Sequence, residues 1–185
     1  MLAMVVLLAA QRRLRLPPRS DVPIVLSVGI VQIAAGVLIM NLALQVVPAG
    51  RSSVLVYTMP LWVAVLLAAF FGIRPRRTEL IGLVLGVGGI LVLLNPAVID
   101  WGGSGEAIGT LALIANAILW AAVTIHIRRH HWTATPLDLQ PWQLLAALVP
   151  CVVFAIVLES DQPVRWELAT VLVLLYSGPL ATAFA

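Results

Sequence analysis

Long runs of apolar residues alternate along this chain with short polar segments. A helix rises about 1.5 Å per residue, so about 20 apolar residues are needed to cross the hydrocarbon core of a bilayer. Residues 1–10 form a shorter apolar stretch of about half a span, and the last run is still apolar at Ala185, so both ends are expected to lie inside membrane helices. The pattern predicts six spans, at residues 22–46, 52–72, 79–96, 108–127, 141–158 and 168–185.

The composition excludes a soluble domain and predicts an all-α, polytopic membrane protein. The chain is 62% hydrophobic and only 10% charged, whereas soluble domains average about 25% charged residues. The net charge of +3 comes from arginines that are scattered between apolar runs, which argues against nucleic acid as a partner. The single cysteine, Cys151, lies in an apolar run, so neither a disulfide nor a metal cluster is implied. No cofactor is expected.

The arginines predict how the chain is oriented in the membrane. Two of the eleven, Arg51 and Arg165, fall in loops on one predicted side, where acidic residues also lie. An excess of arginine marks cytoplasmic loops, so the pattern predicts a multi-pass protein of the plasma (inner) membrane. The nine arginines on the predicted cytoplasmic side are Arg12, Arg13, Arg15, Arg19, Arg74, Arg76, Arg77, Arg128 and Arg129.

Glycines recur within two of the predicted spans. Small residues let helix backbones approach closely in lipid, where no hydrophobic force drives helices together. We therefore expect close helix packing at Gly29 and Gly36 in the first full span and at Gly82, Gly86 and Gly89 in the third.

Polar and aromatic side chains form stripes on three of the predicted helices. Pro60 has no N–H to donate, so its helix should be kinked, and irregular backbone in a membrane must be covered by protein or by a watery cavity. The stripes could line an aqueous cavity, or they could serve only as hydrogen bonds between helices. No acidic or basic residue lies deep inside a span, so no proton-coupling carboxylate is evident. The stripes are Asn41 with Gln45; Ser53, Tyr57, Pro60 and Ala64; and Ala112, Asn116, Trp120 and Thr124.

Residues 51–94 resemble the end of the first repeat of EamA-like transporters, in the drug/metabolite transporter superfamily. A small-residue turn leads into a helix with a central Pro-Leu, followed by a short loop and a glycine-rich helix. Residues 109–129, with Trp120-Ala121, resemble the opening helix of the second repeat, and residues 176–185 look like the start of its third helix. Ile73 departs from the pattern, because the family often has glutamate there. The matching positions of the first segment are Ser52, Ser53, Pro60, Leu61, Gly72, Gly82, Gly86 and Gly89.

The resemblance implies part of a ten-helix transporter built from two inverted five-helix repeats. Residues 1–97 would be the remainder of the first repeat (the end of helix 2 through helix 5), 98–107 an extracytoplasmic linker, and 108–185 the start of the second repeat (helices 6 to 8, truncated). The implied activity is export of small, amino-acid-like metabolites by alternating access. The implied partners are the lipid bilayer, a small-molecule substrate, and missing helices of the full-length protein or a partner chain. By analogy the substrate would contact Asn41, Tyr57, Pro60, Trp62, Asn116 and Trp120.

Two other functions remain open from the sequence. The chain could be a non-transporting membrane scaffold or the relic of a truncated gene. More remotely, His126, His130 and His131 have the spacing of one histidine box of a membrane metal enzyme. A di-iron site needs several such boxes, and the chain has no other histidine. We therefore expect neither an enzyme nor a bound metal.

Overall fold

A computed structural model describes residues 16–73, 75–94, 105–158 and 167–176 of the protein. All regular structure in these ranges is helical. The first helix, α1, runs over Arg19–Ala43 and has wide π-type turns at Ser27–Ala35. The other helices are α2 (Ala49–Val56), α3 (Met59–Phe71), α4 (Arg77–Leu94), α5 (Glu106–Arg129), α6 (Pro136–Leu158) and α7 (Leu168–Leu175).

Four helical segments of the described residues are long and apolar enough to cross a membrane. They are α1, the combined segment α2–α3, α5 and α6. The prediction of a polytopic helical membrane protein is therefore confirmed, whereas the count of six spans is not. The predicted span at 168–185 is described only over the eight residues of α7, and the predicted half-span at 1–10 lies outside the described residues.

The helix α6 begins at Pro136, five residues before the predicted fifth span at 141–158. The Asp138 N–H donates to Thr135 Oγ1 at 3.3 Å, and the Thr135 hydroxyl donates to Asp138 Oδ2 at 2.6 Å. This reciprocal cap gives an acceptor to the Asp138 N–H, one of the first-turn donors that have no partner inside a helix. Proline is also well suited to the first helical position. The Thr-Pro-Leu-Asp sequence therefore starts the helix before the apolar run begins.

The segment α2–α3 is interrupted at Tyr57 and Thr58, just before Pro60. The Thr58 N–H bonds to the Leu55 carbonyl, three residues back, at 3.1 Å, and the Thr58 hydroxyl donates to the same oxygen at 2.6 Å. The irregularity predicted from Pro60 therefore lies two to three residues before the proline. It turns Tyr57 outward, with 81% of the residue exposed.

Residues 31–130 form one compact unit with α5 at its centre. The C-terminal part of α1, α2 and α3 all pack on α5, which is why Leu113, Ala117 and Ala121 are completely buried. At one end of this unit Arg51 forms an ion pair with Glu106.

At the other end of the same unit, the Arg129 guanidinium lies over the Phe71 ring, 4.0 Å from its centroid. The starts of α2 and α5 therefore share one end, and the ends of α3 and α5 share the other. This arrangement agrees with the predicted topology, in which Arg51 and Arg129 lie on opposite sides of the membrane. Which end of the unit is cytoplasmic stays a prediction.

Residues 1–30 and 131–185 form the second compact unit, in which the start of α1 packs on α6. A Cβ on Gly29 would lie 2.4 Å from the Gln143 carbonyl oxygen and 2.8 Å from the Ala146 Cβ. The predicted close packing at Gly29 is therefore observed. These two units do not coincide with the predicted repeats at 1–97 and 108–185, and that division stays a prediction.

The glycines of α4 behave differently from Gly29. A Cβ on Gly82, Gly86 or Gly89 would meet nothing within 4 Å, and all three positions are exposed. Among the described residues, no helix lies close to the face of α4 that carries these glycines. Their predicted role in close helix packing therefore stays a prediction.

Asp21 is completely buried although it lies in the first turn of α1. Its carboxylate accepts hydrogen bonds from the backbone N–H groups of Thr133 at 3.3 Å and Ala134 at 2.7 Å. Beside it the Ser20 and Thr133 hydroxyls are 2.9 Å apart at an exposed position. Asp21 therefore ties the start of α1 to the loop that precedes α6.

We expect Asp21→Ala to lower the free energy of unfolding by about 1–3 kcal/mol, because the backbone N–H groups of Thr133 and Ala134 lose their acceptor. The measurement is the thermal unfolding midpoint of the detergent-purified protein. Ser20→Ala, which removes the neighbouring exposed hydrogen bond, is the control and should change stability by no more than about 0.5 kcal/mol. Equal effects of the two variants would contradict the role given to Asp21.

Candidate functional site

A cavity of about 310 Å³ lies between the C-terminal part of α1, the end of α2 and the middle of α5. On each of the three helices, residues three or four positions apart lie on the face that lines the cavity, as the helical period requires. The lining that the described residues supply is mostly apolar and includes no acidic or basic side chain. The lining residues are Gly36, Val37, Met40, Asn41, Ser53, Val56, Tyr57, Asn116 and Trp120.

Two residues that line this cavity, Asn116 and Trp120, each carry a buried polar atom without a partner among the described residues. Asn116 is only 2% exposed. Its Nδ2 donates weakly to the Gly36 carbonyl at 3.4 Å, while its Oδ1 and the Trp120 indole Nε1 are buried with no hydrogen bond. A buried polar group left unpaired costs about 1–3 kcal/mol, so a bound molecule that pairs with these atoms would recover that free energy. The site offers one acceptor and one donor.

Gly36 allows α1 to approach these two side chains. A Cβ at this position would lie 2.6 Å from Trp120 Nε1 and 3.6 Å from Asn116 Oδ1. The two unpaired atoms therefore face the same stretch of α1 backbone. Sequence analysis assigned Gly36 to helix packing alone; its place in the cavity wall becomes evident only from the contact with Trp120.

Four of the six residues predicted to contact substrate line this cavity: Asn41, Tyr57, Asn116 and Trp120. The remaining two lie elsewhere. Pro60 lines a neighbouring groove of about 500 Å³ between α3 and α4, which Tyr57 also borders. The Trp62 indole donates to Thr58 Oγ1 at 3.1 Å, and its ring packs on the cluster of Val63, Ala121 and Ile125.

Sequence analysis missed three apolar lining residues, Val37, Met40 and Val56. Each lies within one turn of another lining residue, Gly36 or Asn41 on α1 and Ser53 on α2, so the helical period places them on the same face. Apolar residues in an apolar span carry no distinguishing signal of their own. Only the position of α5 opposite this face identifies them.

The histidines predicted as a remote metal box lie at the end of α5. The rings of His126 and His130 meet edge to face, with centroids 5.8 Å apart. Across the described residues, no group of three or more His, Cys, Asp or Glu side chains has an arrangement suited to a metal ion.

Comparison with known proteins identifies the family. The model of the EamA-like transporter family matches residues 1–95, which is more than half of the chain. The chain belongs to the EamA-like transporter family. The resemblance seen in the Pro-Leu helix and the glycine-rich helix is thereby confirmed.

Three relatives show how much of an EamA-like protein the chain represents. The uncharacterized transporter YoaV of Bacillus subtilis (strain 168) is 27% identical over 79% of this chain and 50% of its own length. The uncharacterized inner membrane transporter YedA of Escherichia coli (strain K12) is 28% identical over 60% of this chain and 35% of its own. The aromatic amino acid exporter YddG of Ancylobacter novellus is 29% identical over 77% of this chain and 49% of its own.

The chain thus spans about half the length of the curated relatives it matches. No solved structure matches it significantly. Together with the four candidate spans, the family assigns the chain to the inner membrane as a multi-pass protein.

Proposed function

We propose that this EamA-like chain contributes the substrate site of an exporter of amino-acid-like solutes, and that the cavity lined by Asn116 and Trp120 is that site. The observation that carries the proposal is that two residues lining one cavity, Asn116 and Trp120, each hold a buried polar atom, Oδ1 and Nε1, without a partner among the described residues. Polar groups held unpaired in an apolar cavity are typical of sites that orient a small ligand.

The chemistry of the cavity favours a small zwitterion. An amino acid carries a donor, its ammonium group, and an acceptor, its carboxylate, which complement Asn116 Oδ1 and Trp120 Nε1. Among the described residues the lining has no charged side chain, so no fixed charge is present there to pair with the net charge of an ionic solute. The volume of 310 Å³ is at the lower end of the range of ligand sites, about 300–1,000 Å³. The name of YddG, an aromatic amino acid exporter, points to the same class of solute.

We propose that transport proceeds by alternating access in a ten-helix inverted-repeat protein, with residues 1–97 and 108–185 belonging to different repeats. Such transporters place the substrate between repeats near the membrane midplane. The cavity lies between α1–α2 and α5, which the resemblance assigns to the first and second repeats. Tyr57 borders the cavity yet is 81% exposed, so we propose that helices of the full-length protein or of a partner chain complete the wall.

A pair of tryptophan variants tests the site in cells that express the full reading frame. Trp120→Phe removes the unpaired indole N–H and keeps an aromatic ring, so efflux of preloaded, radiolabelled phenylalanine should fall about tenfold or more. Trp62→Phe is the matched control, because its N–H bonds to Thr58 outside the cavity, and it should transport nearly normally. No efflux by the wild-type protein would refute the proposed activity, and equal behaviour of the two variants would refute the site.

A further inference from the structure

A second groove, distinct from the candidate substrate site, lies between α3 and α5 near their C-terminal ends. Its volume is about 580 Å³. Leu66, Phe70 and Phe71 line it from α3, and Ala122 and Ile125 line it from α5. Because these side chains are all apolar and lie on membrane-spanning helices, the groove suits a hydrocarbon chain.

Basic side chains lie at one end of this groove. Arg129 and His126 complete its lining where α5 ends. The Arg129 guanidinium is held over the Phe71 ring, 4.0 Å from the centroid, a cation–π contact that orders the charge beside the apolar channel. Of the residues that the structure describes, no acidic side chain lines this groove.

We propose that this groove binds one anionic phospholipid, with an acyl chain along the Phe70–Ala122 channel and the phosphate at Arg129. The arginine distribution predicts that this end of α5 is cytoplasmic, on the side where the leaflet carries anionic lipids. A planar guanidinium pairs well with phosphate oxygens. The proposal rests on the joint presence of an apolar channel and of an arginine held over an aromatic ring at its end.

Native mass spectrometry of the detergent-purified chain tests the proposal, with phosphatidylglycerol and phosphatidylcholine of identical acyl chains as probes. The wild-type protein should retain phosphatidylglycerol preferentially, and Arg129→Gln should weaken that retention about fivefold, as expected for one basic residue near an anionic surface. Arg76→Gln is the control, because Arg76 is exposed on a loop of the same predicted side and does not line the groove. Equal retention of the two lipids, or equal effects of the two arginine variants, would overturn the proposal.

Ala122→Phe tests the channel without changing any charge. Ala122 is exposed at the groove, so the larger side chain occupies the acyl position and should reduce phosphatidylglycerol retention severalfold while the chain still folds. An excess of glycerol 3-phosphate, the headgroup without acyl chains, should leave the lipid bound. Unchanged retention in Ala122→Phe would overturn the acyl site, and displacement by glycerol 3-phosphate would show a soluble-anion site in its place.

Discussion

Asn116→Leu is expected to reduce transport about 10- to 100-fold in cells that express the full reading frame, with membrane insertion intact. The variant removes the buried carbonyl oxygen that would pair with the solute, and one such hydrogen bond is worth about 1–3 kcal/mol when the site is desolvated. Leucine is apolar, of similar size and a good helix former, so α5 should still span the membrane. The measurement is the rate of efflux of a labelled amino acid, normalised to the amount of protein in the membrane.

Thr110→Val is the control for Asn116→Leu. Thr110 is buried on the same helix, 3% exposed, and does not line the cavity. Its replacement should leave efflux within about twofold of wild type, because it removes polarity from α5 without touching the site. Unchanged flux in Asn116→Leu would remove Asn116 from the site, whereas a reduced membrane amount would show a structural role in its place.

Gly29→Ala is expected to destabilise the protein by about 1–3 kcal/mol, the usual effect of inserting atoms into a close-packed interface. The added Cβ would lie 2.4 Å from the Gln143 carbonyl oxygen, which is backbone and cannot turn aside as a flexible side chain can. The helices must therefore move apart, and contacts between α1 and α6 are lost. The measurement is the thermal unfolding midpoint in detergent, together with the yield of membrane-inserted protein.

Gly82→Ala is the matched control for Gly29→Ala. Both glycines lie inside membrane helices, but a Cβ on Gly82 meets nothing within 4 Å. Alanine is also the better helix former by about 1 kcal/mol, so Gly82→Ala should be neutral or slightly stabilising. Comparable destabilisation by the two variants would mean that the face of α4 is packed in the membrane against something that the described residues do not include.

The glycines show which part of helix packing a sequence pattern can predict and which part it cannot. Their spacing predicted close packing equally for Gly29, Gly36 and Gly82, because small residues in an apolar helix look alike from the sequence. The structure separates them. Gly29 faces the backbone of α6, Gly36 faces the Trp120 indole, and Gly82 faces nothing described. Whether a glycine can be replaced depends on the residue that packs against it, and that residue is distant in the sequence.

In the candidate site, too, the sequence predicts the residue types on each helix, whereas contacts between helices decide which of them line the cavity. Tyr57 and Trp62 were both predicted to contact substrate, but Tyr57 lies in the interruption between α2 and α3, whereas Trp62 lies inside α3. Tyr57 borders the cavity, while Trp62 packs on Val63 and the α5 residues opposite it. Asn116 lines the cavity, and its contact with substrate stays a prediction. Its buried Oδ1 has no hydrogen-bond partner among the described residues, and this depends on how closely α1 approaches at Gly36.

The sequence by itself determined that the chain is helical, multi-pass and EamA-like. Those properties follow from local quantities, the length of each apolar run and the order of its motifs, which no tertiary contact can reverse in a bilayer. Only the tertiary structure decided that Asp21 is buried on the loop before α6, and that Asn116, Trp120 and Gly36 meet at one cavity. Such contacts join residues about 80 or more positions apart. In lipid they depend on the fit of particular side chains and backbones, which periodicity does not encode.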